Sequence, residues 1–143
     1  MPIAVYQKTS CFGTCPAYTV EFYKDGAVHW NGSANVIPMG QKRGKVSPDA
    51  VAKIVEKARA IGFMKLNNNY PEDIIEDAAA TVIYMNIDGR DKQVTDIFGA
   101  PQGLTELEKM FDDQIQKLGW AKIPAPVKKK VVAQGKSINA SEN

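Results

Sequence analysis

The chain has 143 residues, of which 44% are apolar and 24% are charged, as in a single soluble globular domain. No apolar run approaches the roughly 18 residues that a membrane-spanning helix needs, so the sequence predicts no such helix. Of the 18 basic and 16 acidic residues, five lysines and one acid lie in residues 121–143, which carry a net charge of +4 against −2 for residues 1–120. No aromatic residue is interleaved with these lysines, and we predict no nucleic-acid partner.

The N-terminal part of the chain predicts antiparallel strands. Residues 3–8 are strand-like, and residues 18–23 alternate between apolar and polar side chains. Asp25-Gly26 then marks the turn of a hairpin that leads into a third strand.

The register of this hairpin follows from its apolar residues. A two-residue loop would split them between the two faces of the sheet, whereas a three-residue loop at 24–26 keeps them together. The residues that then share one face are Val20, Phe22, Val28 and Trp30. The longer loop leaves Gly26 in a left-handed conformation beside a bulge, and it puts His29 beside Glu21 on the opposite face.

A helix is predicted after the hairpin. Residues 32–46 are rich in glycine and polar side chains and leave room for one more strand, near 33–37 or 43–46. Ser47-Pro48-Asp49 is typical of a helix start, with serine as the cap, proline at the first position and an acid in the first turn. The apolar stripe of this helix consists of Val51, Ile54, Val55, Ala58 and Ile61. Gly62 is expected to end it.

A second hairpin follows the polar loop at 67–71. Residues 81–87 have the alternation of a strand, and residues 92–98 are its predicted partner. An even-length turn around Asp88-Gly89 places Val94 on the same face as the apolar residues of the first strand.

The last predicted element is an amphipathic helix over residues 102–118, which Gly119 ends and after which Trp120 folds back onto the core. The order of elements predicts an α+β fold, with a single antiparallel sheet of about five strands and two helices on one face (β-β-β-α-β-β-α). We expect one domain at 1–120 and a basic, disordered tail at 121–143.

The motif Cys-Phe-Gly-Thr-Cys-Pro-Ala-Tyr at residues 11–18, followed by Asp25-Gly26, resembles a family of small uncharacterised bacterial proteins of the envelope and lipoprotein type. The resemblance covers residues 3–120, where the other matching features follow in order: Gly32, the Ser47 helix, Asp77, the Thr81 strand, Asp88-Gly89 and Trp120. It implies an exported protein with a domain of unknown function and no established activity. We therefore expect a periplasmic or extracellular location, with a lipid anchor on a leader since removed. Because Met1 and Pro2 run directly into a strand, a cytoplasmic location is the alternative.

The spacing of Cys11 and Cys15 limits how they can be bridged. Residues four apart in an extended strand lie about 13 Å apart, whereas a disulfide needs Cα atoms within about 7 Å. A bridge therefore needs a tight turn, which Gly13 makes accessible, while Pro16 keeps Cys15 extended. The sequence favours this bridge as a pin for the local turn, worth about 2 kcal/mol in the loop-entropy model.

Two alternatives use the same sulfur atoms. Cys-x3-Cys-Pro also resembles the copper-binding motif of thioredoxin-like copper chaperones for cytochrome oxidase, which implies a soft-metal site formed by Cys11, Cys15 and His29. Thiol redox chemistry would need an activated thiolate, for which Lys8 is the only cation nearby in the sequence. Both alternatives predict sulfur atoms that are open to solvent and convertible between states.

The other candidate residues point mainly to structural roles. A histidine beside Glu21 could form an acid–base pair with it, but a partly exposed strand histidine is typical of a surface. The acidic run Glu72, Asp73, Glu76 and Asp77 lacks the ligand spacing of a calcium loop, and we assign Asp77 to the turn before residue 81. The residues predicted to be structural are Gly13, Pro16, Gly26, Asp77 and Trp120.

These features predict a non-enzymatic binding or interaction module of the bacterial cell envelope, with no catalytic residues and no cofactor. Its partner would be a protein or a small-molecule ligand. The sequence contains no Ser–His–acid set and no phosphate-binding glycine loop. An interaction module also predicts bridged cysteines and an exposed apolar or aromatic patch.

Overall fold

The computed structural model describes residues 1–73 and 75–124. Seven strands form one sheet in the order β4-β3-β2-β1-β6-β7-β5. The strands are β1 (Ala4–Lys8), β2 (Ala17–Phe22), β3 (Ala27–Ala34), β4 (Gly40–Lys45), β5 (Asn69–Tyr70), β6 (Thr81–Ile87) and β7 (Arg90–Asp96). Neighbouring strands are antiparallel, except that β5 runs parallel to β7.

Two helices, α1 (Pro48–Ala60) and α2 (Gln102–Lys117), pack on one face of this sheet. The predicted start of α1 is confirmed, because the Ser47 hydroxyl accepts a hydrogen bond of 3.0 Å from the Ala50 backbone N–H. Gly62, in the left-handed conformation at φ +68°, follows the end of α1. In the described part of the chain, neither helix is long and apolar enough to cross a membrane.

The predicted register of the first hairpin is confirmed. Val20 pairs with Trp30, and Gly26 closes the three-residue loop at φ +94°. His29 lies opposite Glu21, as expected. The pairing places one apolar face of the hairpin against the helices, where its buried members are Val20, Phe22, Val28 and Trp30.

The α+β class and the two helices are confirmed, but the expectation of about five strands is wrong. The sheet has seven strands, and the pairing of β5 with β7 makes it mixed rather than purely antiparallel. The outer strand β4 overlaps the optional strand at 43–46 rather than the one at 33–37, and its glycine and polar residues show no apolar alternation that would set its bounds. The other extra strand, β5, is only two residues long, too short for an alternation to predict it.

Trp120 folds back onto the core, as predicted. Its ring centroid lies 5.5 Å from that of Trp30. The indole packs against Gly44 of β4, where an added Cβ would come within 3.0 Å of the ring. The absence of a side chain at Gly44 therefore makes room for the tryptophan.

The backbone continues its pairing just past this tryptophan. Ile37 and Lys122 exchange two backbone hydrogen bonds of 2.8 and 3.0 Å, which fix the segment after Trp120 to the loop between β3 and β4. Most of the predicted tail, residues 125–143, lies outside the described residues.

Candidate binding site

Most of the long connections between strands and helices lie at one end of the sheet. A line of paired residues marks this end: Gly40, Gly32, Tyr18, Lys8, Thr81, Asp96 and Tyr70. The segments beyond this line, which we call the loop end, are residues 9–16, 35–39, 71–73, 75–80, 97–101 and 121–124. The tight hairpin turns at 24–26 and 88–89 lie at the opposite end.

The loop end begins with a disulfide between Cys11 and Cys15. Their Cα atoms are 5.5 Å apart, and Gly13 makes the turn between them at φ +139°. The Asn35 side-chain amide donates a 3.3 Å hydrogen bond to the carbonyl oxygen of Cys15, which joins this loop to the one between β3 and β4. The sulfur atoms are bonded to each other, so they do not offer the free thiolates that a soft-metal site or a reduced thiol pair requires.

A cavity of about 390 Å³ opens beside this disulfide, on the helix side of the sheet. Its polar lining comes mainly from strand ends and from α2: Lys8, Thr9, Tyr18, Thr81, Asp96 and Glu108. The remaining wall is formed by Cys15, Pro16, Ala79, Ala80, Ile97, Ala121 and Ile123. A few converging polar groups in a mostly apolar cavity are typical of a ligand-binding site.

Glu108 gives this cavity its unusual electrostatics. Burial, reinforced by the neighbouring carboxyl group of Asp96, raises the pKa of Glu108 to about 8, although Lys8 opposes the change. The Oε2 atom of Glu108 is buried and has no hydrogen-bond donor among the described residues. Asp96 lines the same cavity, so the two carboxyl groups lie near each other, and Glu108 keeps its proton near neutral pH.

The other charged groups around the cavity are held by partners. Lys8 Nζ donates a 2.7 Å hydrogen bond to Thr81 Oγ1 and lies 5.3 Å from the centroid of the Tyr6 ring. The Tyr6 hydroxyl donates a 2.8 Å hydrogen bond to Asp112 Oδ1. Burial, together with the charge of Asp112, raises the pKa of Tyr6, so its hydroxyl stays protonated. Glu108 and Asp96, which we call the carboxyl pair, are therefore the acidic groups that the cavity offers to a ligand.

Exposed apolar side chains are concentrated around the same end. Among the described residues, the large exposed apolar side chains at the loop end are Phe12 (92%), Ile37 (48%), Met39 (56%), Ile75 (43%), Phe98 (59%) and Ile123 (66%). Among the described residues, one other large apolar side chain is exposed, that of Met1, and it lies next to the N-terminal end of β1, away from the loop end. Six of the seven large exposed apolar side chains of the described residues therefore belong to loops at one end of the sheet.

The model of one protein family, described as a domain of unknown function (DUF6438), matches residues 3–115. The chain belongs to this family. The match includes the disulfide loop and Glu108, and it ends before Trp120. The family's description names neither an activity nor a cellular location, so the envelope location stays a prediction. None of the curated proteins matches the chain.

His29 lies on the sheet face that neither helix covers. Its Nδ1 is 3.6 Å from Glu21 Oε1, and the Tyr23 hydroxyl donates a 3.1 Å hydrogen bond to the same oxygen. The predicted contact between His29 and Glu21 is thus confirmed. A shallow polar trough of about 680 Å³ runs beside these side chains. Their partial exposure, 38% and 40%, makes the pair a weak contributor to stability.

The structure does not bring together the three residues of the soft-metal alternative. Glu21, the partner of His29, lies four positions along β2 from Ala17, or about 13 Å at 3.3 Å per residue, and Cys15 lies further still. In residues 1–73 and 75–124, no cluster of three histidine, cysteine, aspartate or glutamate side chains could hold a metal ion.

The acidic run lies in the loop end, with its side chains exposed: Glu72, Asp73, Glu76 and Asp77. Asp77 has φ +59°, a left-handed conformation that fits its predicted place in a turn before β6. The run contributes negative charge to the loop end.

Sequence reasoning missed the acids that line the cavity and its surroundings. Glu108 lies four residues after Leu104 and three before Phe111, so it falls on the apolar stripe of α2, and Asp112 follows it by one helical turn. Lys8 likewise shares the buried face of β1 with Tyr6. A charged residue within an apolar stripe was the signal that could have found them.

Proposed function

We propose that the protein is a non-enzymatic binding module of the bacterial cell envelope, and that the loop end is its binding surface. The observation that carries this proposal is the concentration of exposed large apolar side chains in the loops at the end of the sheet where the cavity opens. Such concentrations are uncommon on soluble proteins unless the surface contacts a ligand, a partner or a membrane. The helices and the opposite end of the sheet then serve as the scaffold that holds the loops in place.

The arrangement of the cavity supports binding rather than catalysis. Lys8 is engaged with Thr81, and the Tyr6 hydroxyl is engaged with Asp112, so neither is poised as a nucleophile or base. The one histidine of the chain lies on the uncovered face, away from the cavity. The groups left to act on a ligand are the carboxyl pair and the apolar walls, which can bind a cation with apolar neighbours.

The disulfide supports the proposed location. Such bonds persist in the periplasm and outside the cell, whereas cytoplasmic thiols are kept reduced. Alkylation of acid-quenched cells that express the native gene tests this point. We expect the protein in the envelope fraction with both cysteines protected from alkylation, and recovery from the cytoplasm with two alkylated thiols would contradict the proposed location.

Selection of peptides on the full chain tests the binding surface. A random peptide library displayed on phage is enriched on the protein, and the selected peptides are then measured against Phe12→Ser/Phe98→Ser and against a control variant at the opposite end, Lys24→Ser/Arg90→Ser. We expect at least a tenfold loss of affinity for the first variant and less than a twofold change for the second. Both phenylalanines are exposed, so thermal unfolding should be nearly unchanged. Failure to enrich peptides, or peptides indifferent to the loop-end substitutions, would refute the proposal.

A further inference from the structure

We infer that the loop end binds an arginine side chain of a partner protein, with the guanidinium group in the cavity against Asp96 and Glu108. Apolar residues next to that arginine then contact the exposed apolar side chains of the loop end. The inference rests on the proposed function and specifies the chemistry of the partner.

The charge of the loop end favours a basic partner. Its loops carry four acidic residues, Glu72, Asp73, Glu76 and Asp77, and one basic residue, Lys122. This net charge of −3 lies in the same loop end as the cavity. Inside the cavity, Lys8 balances the charge of the carboxyl pair while Glu108 keeps its proton, and the cavity becomes negative when Glu108 loses it. Complementary charge of this kind orients a partner and accelerates its association. The same negative charge repels an anionic membrane surface, so we do not expect such a membrane to cover the exposed apolar side chains of the loop end.

The polar groups inside the cavity match a guanidinium group. The buried Oε2 atom of Glu108 lacks a donor among the described residues, and the adjacent Asp96 offers a second acceptor. A guanidinium group presents five N–H donors in one plane and can bond to both carboxylates at once. Tyr18 also lines the cavity, where its ring is buried and stacked on that of Trp30.

The size of the site indicates a side chain rather than a whole structural element. A cavity of about 390 Å³ is at the lower end of the range for small-molecule sites and can take one arginine side chain. The rest of the partner must then lie outside the cavity. Phe12, Phe98 and Ile123 are exposed around the loop end and can pack against apolar residues on either side of that arginine.

Binding of the cation should release a proton. Three charged side chains act on Glu108: Asp96 of β7, Lys8 of β1 and Asp112 of the same helix. Glu108 keeps its proton near neutral pH because it is buried beside another acid. A guanidinium group replaces that proton as the partner of the two carboxyl groups. At pH 6 the cation must displace this proton, whereas at pH 9 Glu108 is already ionised. The affinity for the arginine side chain should therefore rise from pH 6 to pH 9.

The experiment uses peptides selected on the full chain that contain arginine, each compared with the same peptide carrying the neutral isostere citrulline. Isothermal titration at pH 6, 7.5 and 9 in buffers of different ionisation enthalpy measures affinity and proton release. The variants are Glu108→Gln and Asp96→Asn, with Glu106→Gln on the outer side of α2 as the matched control.

We expect the arginine peptides to bind at least tenfold more tightly than their citrulline counterparts, with proton release that Glu108→Gln abolishes and Glu106→Gln preserves. Equal binding of citrulline, or loop-end peptides without basic residues, would overturn this inference while leaving the proposed binding surface intact. If arginine peptides bind only after Lys128, Lys129 and Lys130 are replaced by serine, the chain's own lysines compete for the site, and the inference of a separate partner is wrong. A selection that yields no loop-end binders removes both proposals.

Discussion

Replacing Glu108 by glutamine should stabilise the protein in neutral and alkaline solution. Glutamine keeps the shape of the protonated side chain but cannot ionise beside Asp96. In the wild-type protein, the folded state holds the proton of Glu108 up to a pKa of about 8, whereas the unfolded chain releases it near the ordinary value of 4.5. The folded state therefore binds more protons across this window, and the stability due to this proton is lost as the pH rises from 4.5 to 8.

The difference between these two pKa values sets the size of the effect. At 1.36 kcal/mol per pKa unit, it corresponds to an upper limit of about 5 kcal/mol. The cavity is open to water and the side chain is only partly buried, so solvent screening reduces this figure, and we expect about 2 kcal/mol. Glu108→Gln should match the wild-type stability at pH 4, below both pKa values, and exceed it by this amount at pH 8.5.

Urea unfolding at both pH values, followed by the fluorescence of the packed pair Trp30 and Trp120, measures this difference. The matched control is Glu106→Gln, two residues away on the exposed side of the same helix. The hydrogen bond from Lys57 lowers the pKa of Glu106, so its contribution is present above pH 4.5 and lost in acid, which is the opposite sign. A Glu108→Gln variant that is less stable than wild type at pH 8.5, or equally shifted at both pH values, would refute the proposed electrostatics.

Two further predictions concern the disulfide loop and the hairpin turns. Replacing Cys11 and Cys15 together by serine should cost about 2 kcal/mol of unfolding free energy and weaken peptide binding, since Cys15 lines the cavity; unchanged stability would show that the bridge does not constrain the chain. Gly26→Ala should cost about 3 kcal/mol, because its Cβ would lie 2.2 Å from the carbonyl oxygen of Val46 in addition to the strain of a positive φ. Gly89→Ala, also at positive φ but with open space around it, should cost only about 1 kcal/mol. Equal losses for the two glycine variants in urea unfolding would contradict the role of the close contact.

The parts of the fold that were predictable are those in which the apolar pattern and the turn chemistry agree. The register of Val20 with Trp30 followed from the need to keep one face apolar, because a one-residue slip would have buried His29 and exposed Trp30. Ser47 and Pro48 fixed the start of α1 for equally local reasons.

The parts that were missed depend on distant neighbours. Strand β4 pairs through its backbone alone, and Gly44 has a role only because Trp120 returns from the far end of the chain to pack on it. The carboxyl pair is a similar case. Glu108 and Asp96 are twelve residues apart, and they line one cavity only because α2 packs on the face of the sheet. Local patterns show that each acid is present but not that the two acids meet.

The central claim, that the loop end is the binding surface, is tested most directly by the backbone amide spectrum of the isotope-labelled full chain titrated with a selected arginine peptide. We expect the largest changes in residues 9–16, 79–81 and 96–98, with little change at the opposite turns, 24–26 and 88–89. Changes centred instead on the uncovered face around His29 and Glu21 would contradict the account.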